Sequence, residues 1–186
     1  STGLSKWCGA GGWRLGFFAL PNHLKDLKNS IKILCSESFT SVSAPIQYAA
    51  IKAYKDDHTV YLNAVKKILS LTANYVYENL KSNVISISKP EGGFYLFPEF
   101  TNAKFSSSSK MCEDILDKTG VALLPGSDFG LKSNKMLARL SYTDFDGASF
   151  LKNTLGSNKL DSADLKKYAP NIVDGVFALK EWSNSL

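Results

Sequence analysis

Two side chains near the start of the chain could share one chemistry. Lys6 follows Ser5, and Arg14 stands eight residues further on, inside Gly12-Trp13-Arg14-Leu15-Gly16. A lysine amine can form an imine with an aldehyde cofactor when it is neutral, and desolvation or nearby positive charge favours that state. Lys6 sits in a glycine- and tryptophan-rich stretch beside an apolar run, so burial is expected. A guanidinium at Arg14 could clamp a phosphate through paired hydrogen bonds. Gly9, Gly11 and Gly12 would let backbone approach a ligand closely. Residue types alone leave a plainer alternative standing, with Lys6 an exposed lysine and Arg14 a surface charge. Gly9-x-Gly11 has no preceding strand and no clear following helix, so it does not read as a dinucleotide fingerprint.

The elements that must position these residues follow from the pattern. Leu15 to Leu20 is a short apolar run, expected as a buried strand that Pro21 stops. The stretch from Leu24 to Ser30 is helix or loop. Residues 45–82 carry the longest helical periodicity, with Pro45 in a first turn. Asp56-Asp57 should divide it into two helices, with Asp57 a possible N-cap. Val84 to Ser88, Phe94 to Phe97, Val121 to Leu124 and Met136 to Tyr142 read as strands. Lys110 to Lys118 reads as a helix closed by Gly120. Helices are also expected at 144–153 and 164–183, with a polar loop from Lys152 to Asp161. The order of elements after residue 45 gives an α/β or α+β unit with helices over a small sheet. Residues 1–44 are too short for a core of their own. Phe94 to Phe97 and Phe129 are expected in the core whatever the function.

Composition narrows the classes. Hydrophobic residues at 44% and charged residues at 21% describe a globular chain rather than a disordered one. The net charge of +5 is carried by scattered lysines, which favours a solvated surface over a nucleic-acid face. Cys8, Cys35 and Cys112 are odd in number and far apart, which argues against a disulfide framework or zinc site and for a reducing compartment, here taken as cytoplasmic. No apolar run approaches membrane-spanning length.

Ser1 to Gly16 closely resembles the cofactor-lysine segment of class I/II aminotransferases, the aspartate aminotransferase family of fold type I pyridoxal-phosphate enzymes. The resemblance continues in order through Ser41 to Ala50, Glu91 to Pro98, Val121 to Gly130 and Arg139 to Tyr142. It implies that Lys6 holds pyridoxal 5'-phosphate as an imine and moves the reacting proton. Ser5 and Arg14 would bind the cofactor, and Arg139 the substrate α-carboxylate. Gly3 stands where the family often has a second phosphate-binding serine, with Ser1 and Thr2 as neighbouring substitutes. Without the resemblance, Arg139 could equally be a paired structural arginine. The implied fold is an α/β enzyme in which residues 1–44 are a remnant of the cofactor-binding large domain. Residues 45–186 would be the interdomain helix and an α+β small domain.

The implied reaction moves an amino group between an amino acid and a 2-oxo acid, in a homodimer, without nucleic acid, membrane or metal. An aspartate-type donor stays open. One branch places an arginine for the distal carboxylate near residues 36–44, where this chain has Ser36, Glu37 and Ser38. The family's other ring contacts lie ahead of the lysine, and this sequence begins just ahead of Lys6. A fragment of a longer protein, a poor catalyst alone, is therefore expected. The alternatives are a lyase of the same fold and an inactive structural or interaction domain.

Overall fold

In the computed structural model, residues 1–156 and 159–186 are described. The chain forms two compact units, Ser1–Leu62 and Asn63–Leu186.

The first unit is thinly packed. Strand β1 (Thr2–Gly3) pairs antiparallel with β2 (Gly16–Phe17), Gly3 opposite Gly16. The pairing is close: a Cβ on Gly3 would stand 3.2 Å from the Leu15 carbonyl oxygen, and one on Gly16 3.1 Å from that of Thr2. Helix α1 (Leu4–Trp7) is a single turn. Helices α2 (Lys25–Ser38) and α3 (Ala44–Lys55) follow, with Pro45 in the first turn of α3. The apolar run from Leu15 to Leu20 is not the buried strand expected of it. Only Gly16 and Phe17 pair, and Phe17 and Phe18 are exposed. The physical reason lies within the unit: among its described residues Leu4 and Ala50 are the buried hydrophobic ones, too few to form an apolar layer over the run. Helix α2 also extends well past the stretch from Leu24 to Ser30, with no buried residue.

Helix α4 (Thr59–Leu80) begins after the expected break at Asp56-Asp57 and carries the chain into the second unit. The Asp57 carboxylate accepts from the Thr59 amide at 2.8 Å and its hydroxyl at 2.6 Å, ahead of the first turn. Those bonds hold the Asp57 carboxyl below its usual value.

The second unit is built on two small sheets. Strand β3 (Ile85–Ser86) pairs antiparallel with β5 (Glu99–Phe100). Strands β4 (Tyr95–Leu96), β6 (Leu124–Pro125) and β7 (Ala138–Ser141) form a three-stranded sheet in the order β4-β7-β6. Helices α5 (Ser108–Thr119), α6 (Gly147–Gly156), α7 (Ser162–Tyr168) and α8 (Pro170–Asn184) complete it. Four strands are shorter than the pattern suggested, and β5 falls just after the Pro98 expected to end the strand. Pro98 lacks an amide proton, but its carbonyl accepts from Ala138 at 3.2 Å, so pairing resumes beyond it. The helix expected at 164–183 is divided at Pro170, which starts α8. The expected loop at Lys152 to Asp161 is helical to Gly156; its Ser157 and Asn158 lie outside the described residues.

The core joins Val76 and Leu80 of α4, Ile85, Phe100 and Leu140 of the strands, Met111 and Ile115 of α5, and Leu179 and Trp182 of α8. Gly120 closes α5 in the left-handed region at φ 72°, as the sequence suggested. Cys112, on the inner face of α5, is buried, and that burial pushes its thiol up to about 11. The Trp182 indole donates to Asp114 at 2.8 Å, joining α8 to α5, and Lys118 pairs with the same carboxylate at 2.9 Å.

Two predictions follow from this packing. Ile115→Ala should cost about 2–5 kcal/mol of unfolding free energy, whereas Leu116→Ala on the exposed side of the same helix should stay within about 0.5 kcal/mol. Denaturant titration of both variants measures the contrast. The second concerns acid. The Trp182 bond, then the Lys118 bond, lower the Asp114 carboxyl below its ordinary 3.8. Its contribution is therefore present above 3.8 and lost as pH falls through the folded value. The gap in unfolding midpoint between the native chain and Trp182→Phe should narrow on acidification through that range. A gap that stays constant would leave only lost packing as its cause.

Candidate functional site

Lys6 lies in α1, and its side chain is exposed rather than buried as expected. The turn under it is held locally. Leu4 is fully buried, its amide donates to Leu15 at 3.1 Å, and its carbonyl accepts from Ala10 at 3.1 Å. Trp7 anchors the other side, its ring 5.6 Å from those of Tyr54 and His58, while Phe17 meets Tyr54 edge-on at 5.0 Å. The turn carrying Lys6 is thus pinned by its neighbours to the end of α3. Trp7 was not singled out from sequence; only its place beside Lys6 hinted at it.

Beyond the turn, Gly9 is left-handed at φ 67°, and a 3-10 turn covers Gly11–Trp13. Arg14 follows with a left-handed backbone of its own, φ 52° and ψ 40°. That conformation is uncommon outside glycine. The Arg14 guanidinium donates to the Gly11 carbonyl at 2.9 Å and is otherwise presented outward. No heavy atom lies within 4 Å of where a Cβ on Gly9 or Gly12 would stand. The segment between Lys6 and Arg14 is therefore an open surface loop bearing an amine, a guanidinium and the half-buried Ser5 hydroxyl.

Arg139 lies in the second unit, on the central strand β7. Ala138, Leu140 and Tyr142 turn into the core, so Arg139 and Ser141 face outward. Tyr95 stands opposite Ser141 in register and shares that outer face. The Arg139 guanidinium carbon lies 4.4 Å from the centroid of the Tyr95 ring and 4.7 Å from that of Phe129. Each such contact is worth about 0.5–1 kcal/mol at an exposed site. Among the described residues no carboxylate pairs with Arg139.

The expectation that Phe94 to Phe97 and Phe129 are core is corrected here. Leu96 is buried, but Tyr95 is 37% and Phe129 42% exposed. Alternation puts Tyr95 on the outer face, and Phe129 ends a 3-10 turn, Gly126–Phe129, that follows β6 directly. The turn closely approaches Leu137, the residue just ahead of β7. The Gly126 amide donates to the Leu137 carbonyl at 2.8 Å, and a Cβ on Gly126 would be 2.9 Å from that oxygen. Gly130 ends the turn at φ 81°. Phe97 backs Phe129 edge-on at 5.7 Å.

A cleft of about 730 Å³ also opens in this unit, walled by Val121, Leu140, Tyr142, Asp144 and Asp174 among others. Arg139 is not part of its wall, and its chemistry is unlike that of the arginine face. The outer face of β7 is therefore the better candidate.

With the geometry described, relatives can be compared. The family model for aminotransferase class I and II matches residues 1–147. A probable aspartate/prephenate aminotransferase of Aquifex aeolicus is 33% identical over 135 residues, 70% of this chain and 33% of that protein. A probable N-acetyl-LL-diaminopimelate aminotransferase of Bacillus subtilis is 36% identical over 134 residues, 69% of this chain and 31% of that protein. The solved alanine aminotransferase from Pyrococcus furiosus superposes with a TM-score of 0.75 at 25% identity, covering 99% of this chain and 41% of that one. The chain therefore belongs to the class I and II aminotransferase family, with the mixed helix and sheet of an α/β fold. It spans about a third of the length of these curated relatives.

Gly126→Ala tests the support of the arginine face. Overpacking against the Leu137 carbonyl should cost about 1–3 kcal/mol. It should also move Phe129 off Arg139, read as loss of the ring-current shift on the Arg139 side-chain signals.

Proposed function

We propose that this chain contributes the cofactor lysine and the substrate-carboxylate arginine of a pyridoxal-phosphate-dependent aminotransferase. The observation that carries the reading is the Ser5-Lys6 turn followed by the outward-facing Arg14 across an open glycine loop. The family match across residues 1–147 supports it. So do relatives whose names specify amino-group transfer from several different amino acids. In this reading residues 1–44 belong to the cofactor-binding part, and residues 45–186 are the interdomain helix and small domain.

Pyridoxal 5'-phosphate, when bound, supplies an electron sink that stabilises negative charge developing on the substrate α-carbon. This chain's residues would supply part of the remaining machinery. Lys6 would hold the cofactor through its amine. The same amine would take the proton from the substrate α-carbon as a base and return a proton as an acid. Arg14 and Ser5 would hold the cofactor's phosphate by charge-assisted hydrogen bonds. Arg139 takes the α-carboxylate through two parallel N–H donors, which a lysine could not match in geometry. The substrates are an amino acid and a 2-oxo acid, and the working assembly is a homodimer in a reducing, cytoplasmic setting.

Incubation with pyridoxal phosphate, borohydride reduction and peptide mapping by mass spectrometry should find the label concentrated at Lys6 and absent in Lys6→Ala. Label spread evenly over surface lysines would count against the assignment. A requirement for a 2-oxo acid acceptor separates transamination from lyase chemistry, which needs none.

A further inference from the structure

Tyr95 and Phe129 are two of the exposed aromatic rings of the second unit, and they come from separate stretches of chain. Both rings lie on the same guanidinium. We infer that Tyr95 and Phe129 are positioning residues that hold the Arg139 guanidinium for a planar carboxylate; this rests on the reading of Arg139 given above.

The argument starts from donors. A ring face attracts the arginine cation but accepts none of its in-plane N–H bonds in the way a carboxylate would. Arg139 can therefore be held by Tyr95 at 4.4 Å and Phe129 at 4.7 Å while its fork of donors stays available. A structural arginine would be expected to spend that fork on a carboxylate of its own chain. Among the described residues Arg139 has no such partner.

The rings are themselves fixed by backbone. Tyr95 is set by its register opposite Ser141 on β7, and the pair Leu96 opposite Leu140 locks that register into the core. Phe129 is set by the Gly126 approach to Leu137 and by the edge of Phe97. The Ser127 amide donates to the Ser108 hydroxyl at 3.4 Å, tying the same turn to the start of α5. Two independent stretches of chain thus converge on one long, otherwise mobile side chain. Preorganising a flexible arginine lowers the cost of ordering it when an anion arrives.

The test uses the full chain labelled with 15N-arginine, with the Arg139 Nε–Hε signal assigned through Arg139→Lys. In the native chain that signal should carry a ring-current shift that Arg14 lacks. Propionate should move it saturably, and propionamide should not. Tyr95→Leu and Phe129→Leu should each lose part of the ring-current shift and weaken propionate binding by roughly three- to tenfold. Tyr95→Phe, which keeps the ring, should bind as the native chain does.

Propionate binding unchanged in both leucine variants would overturn the positioning role while leaving the carboxylate role of Arg139 intact. No propionate response in the native chain would remove the carboxylate role, and the positioning role with it. Tyr95→Phe as weak as Tyr95→Leu would also sink the proposal, because the ring would not be the active part. Should a leucine variant lose its folded methyl signals, Tyr95→Phe and Phe129→Tyr carry the comparison. Altered binding in both of these, with the ring-current shift retained, would overturn it too.

Discussion

Successive side chains of a strand point to opposite faces, and in β7 that constraint assigns two tasks to four residues. Ala138 and Leu140 close the core under helices α4, α5 and α8, with Tyr142 just beyond. Arg139 and Ser141 take the other face. The arginine cannot slip by one position without carrying a leucine out and a charge in. Its location is therefore enforced by the same hydrophobic burial that stabilises the unit. Because β7 is the central strand, β4 and β6 both bring their own outer residues beside it. The aromatic surround of Arg139 follows from sheet order as much as from local sequence.

The lysine segment is organised on a different principle. Its unit has little buried apolar surface, so the turn that carries Lys6 depends on hydrogen bonds, one buried leucine and a ring cluster. Opposed glycines in β1 and β2 let two backbone stretches come within van der Waals contact. A serine at Gly3, as the family often has, would press on the Leu15 carbonyl. The departure from the family pattern at that position therefore has a local steric counterpart.

Much of this was legible in the residues, unevenly. The helices on either side of the break at Asp56-Asp57 and the glycine end of α5 depend on neighbours a few positions away and are legible in the sequence, whereas the division of the 164–183 stretch at Pro170 and the extent of α2 and α6 are not. The short strands were located but overextended, because their ends are set by partners distant in sequence. Leu15 to Leu20 misled for a related reason: an apolar run states what would be favourable to bury, not whether a covering layer exists. Phe129 and Tyr95 looked like core for the same reason. Lys6, Arg14 and Arg139 are singled out by motif resemblance alone, whereas Trp7 and Gly126, which pack around them, act through contacts that spacing does not reveal.

Cys112 gives the second unit a built-in reporter. Only the thiolate reacts readily with alkylating reagents, and this thiol is both covered by α5 packing and held protonated at neutral pH. Cys8 and Cys35 are only half-buried. A slow alkylation phase at Cys112 would therefore count excursions in which the core opens. The natural sequence could in this way clock its own breathing without an introduced probe.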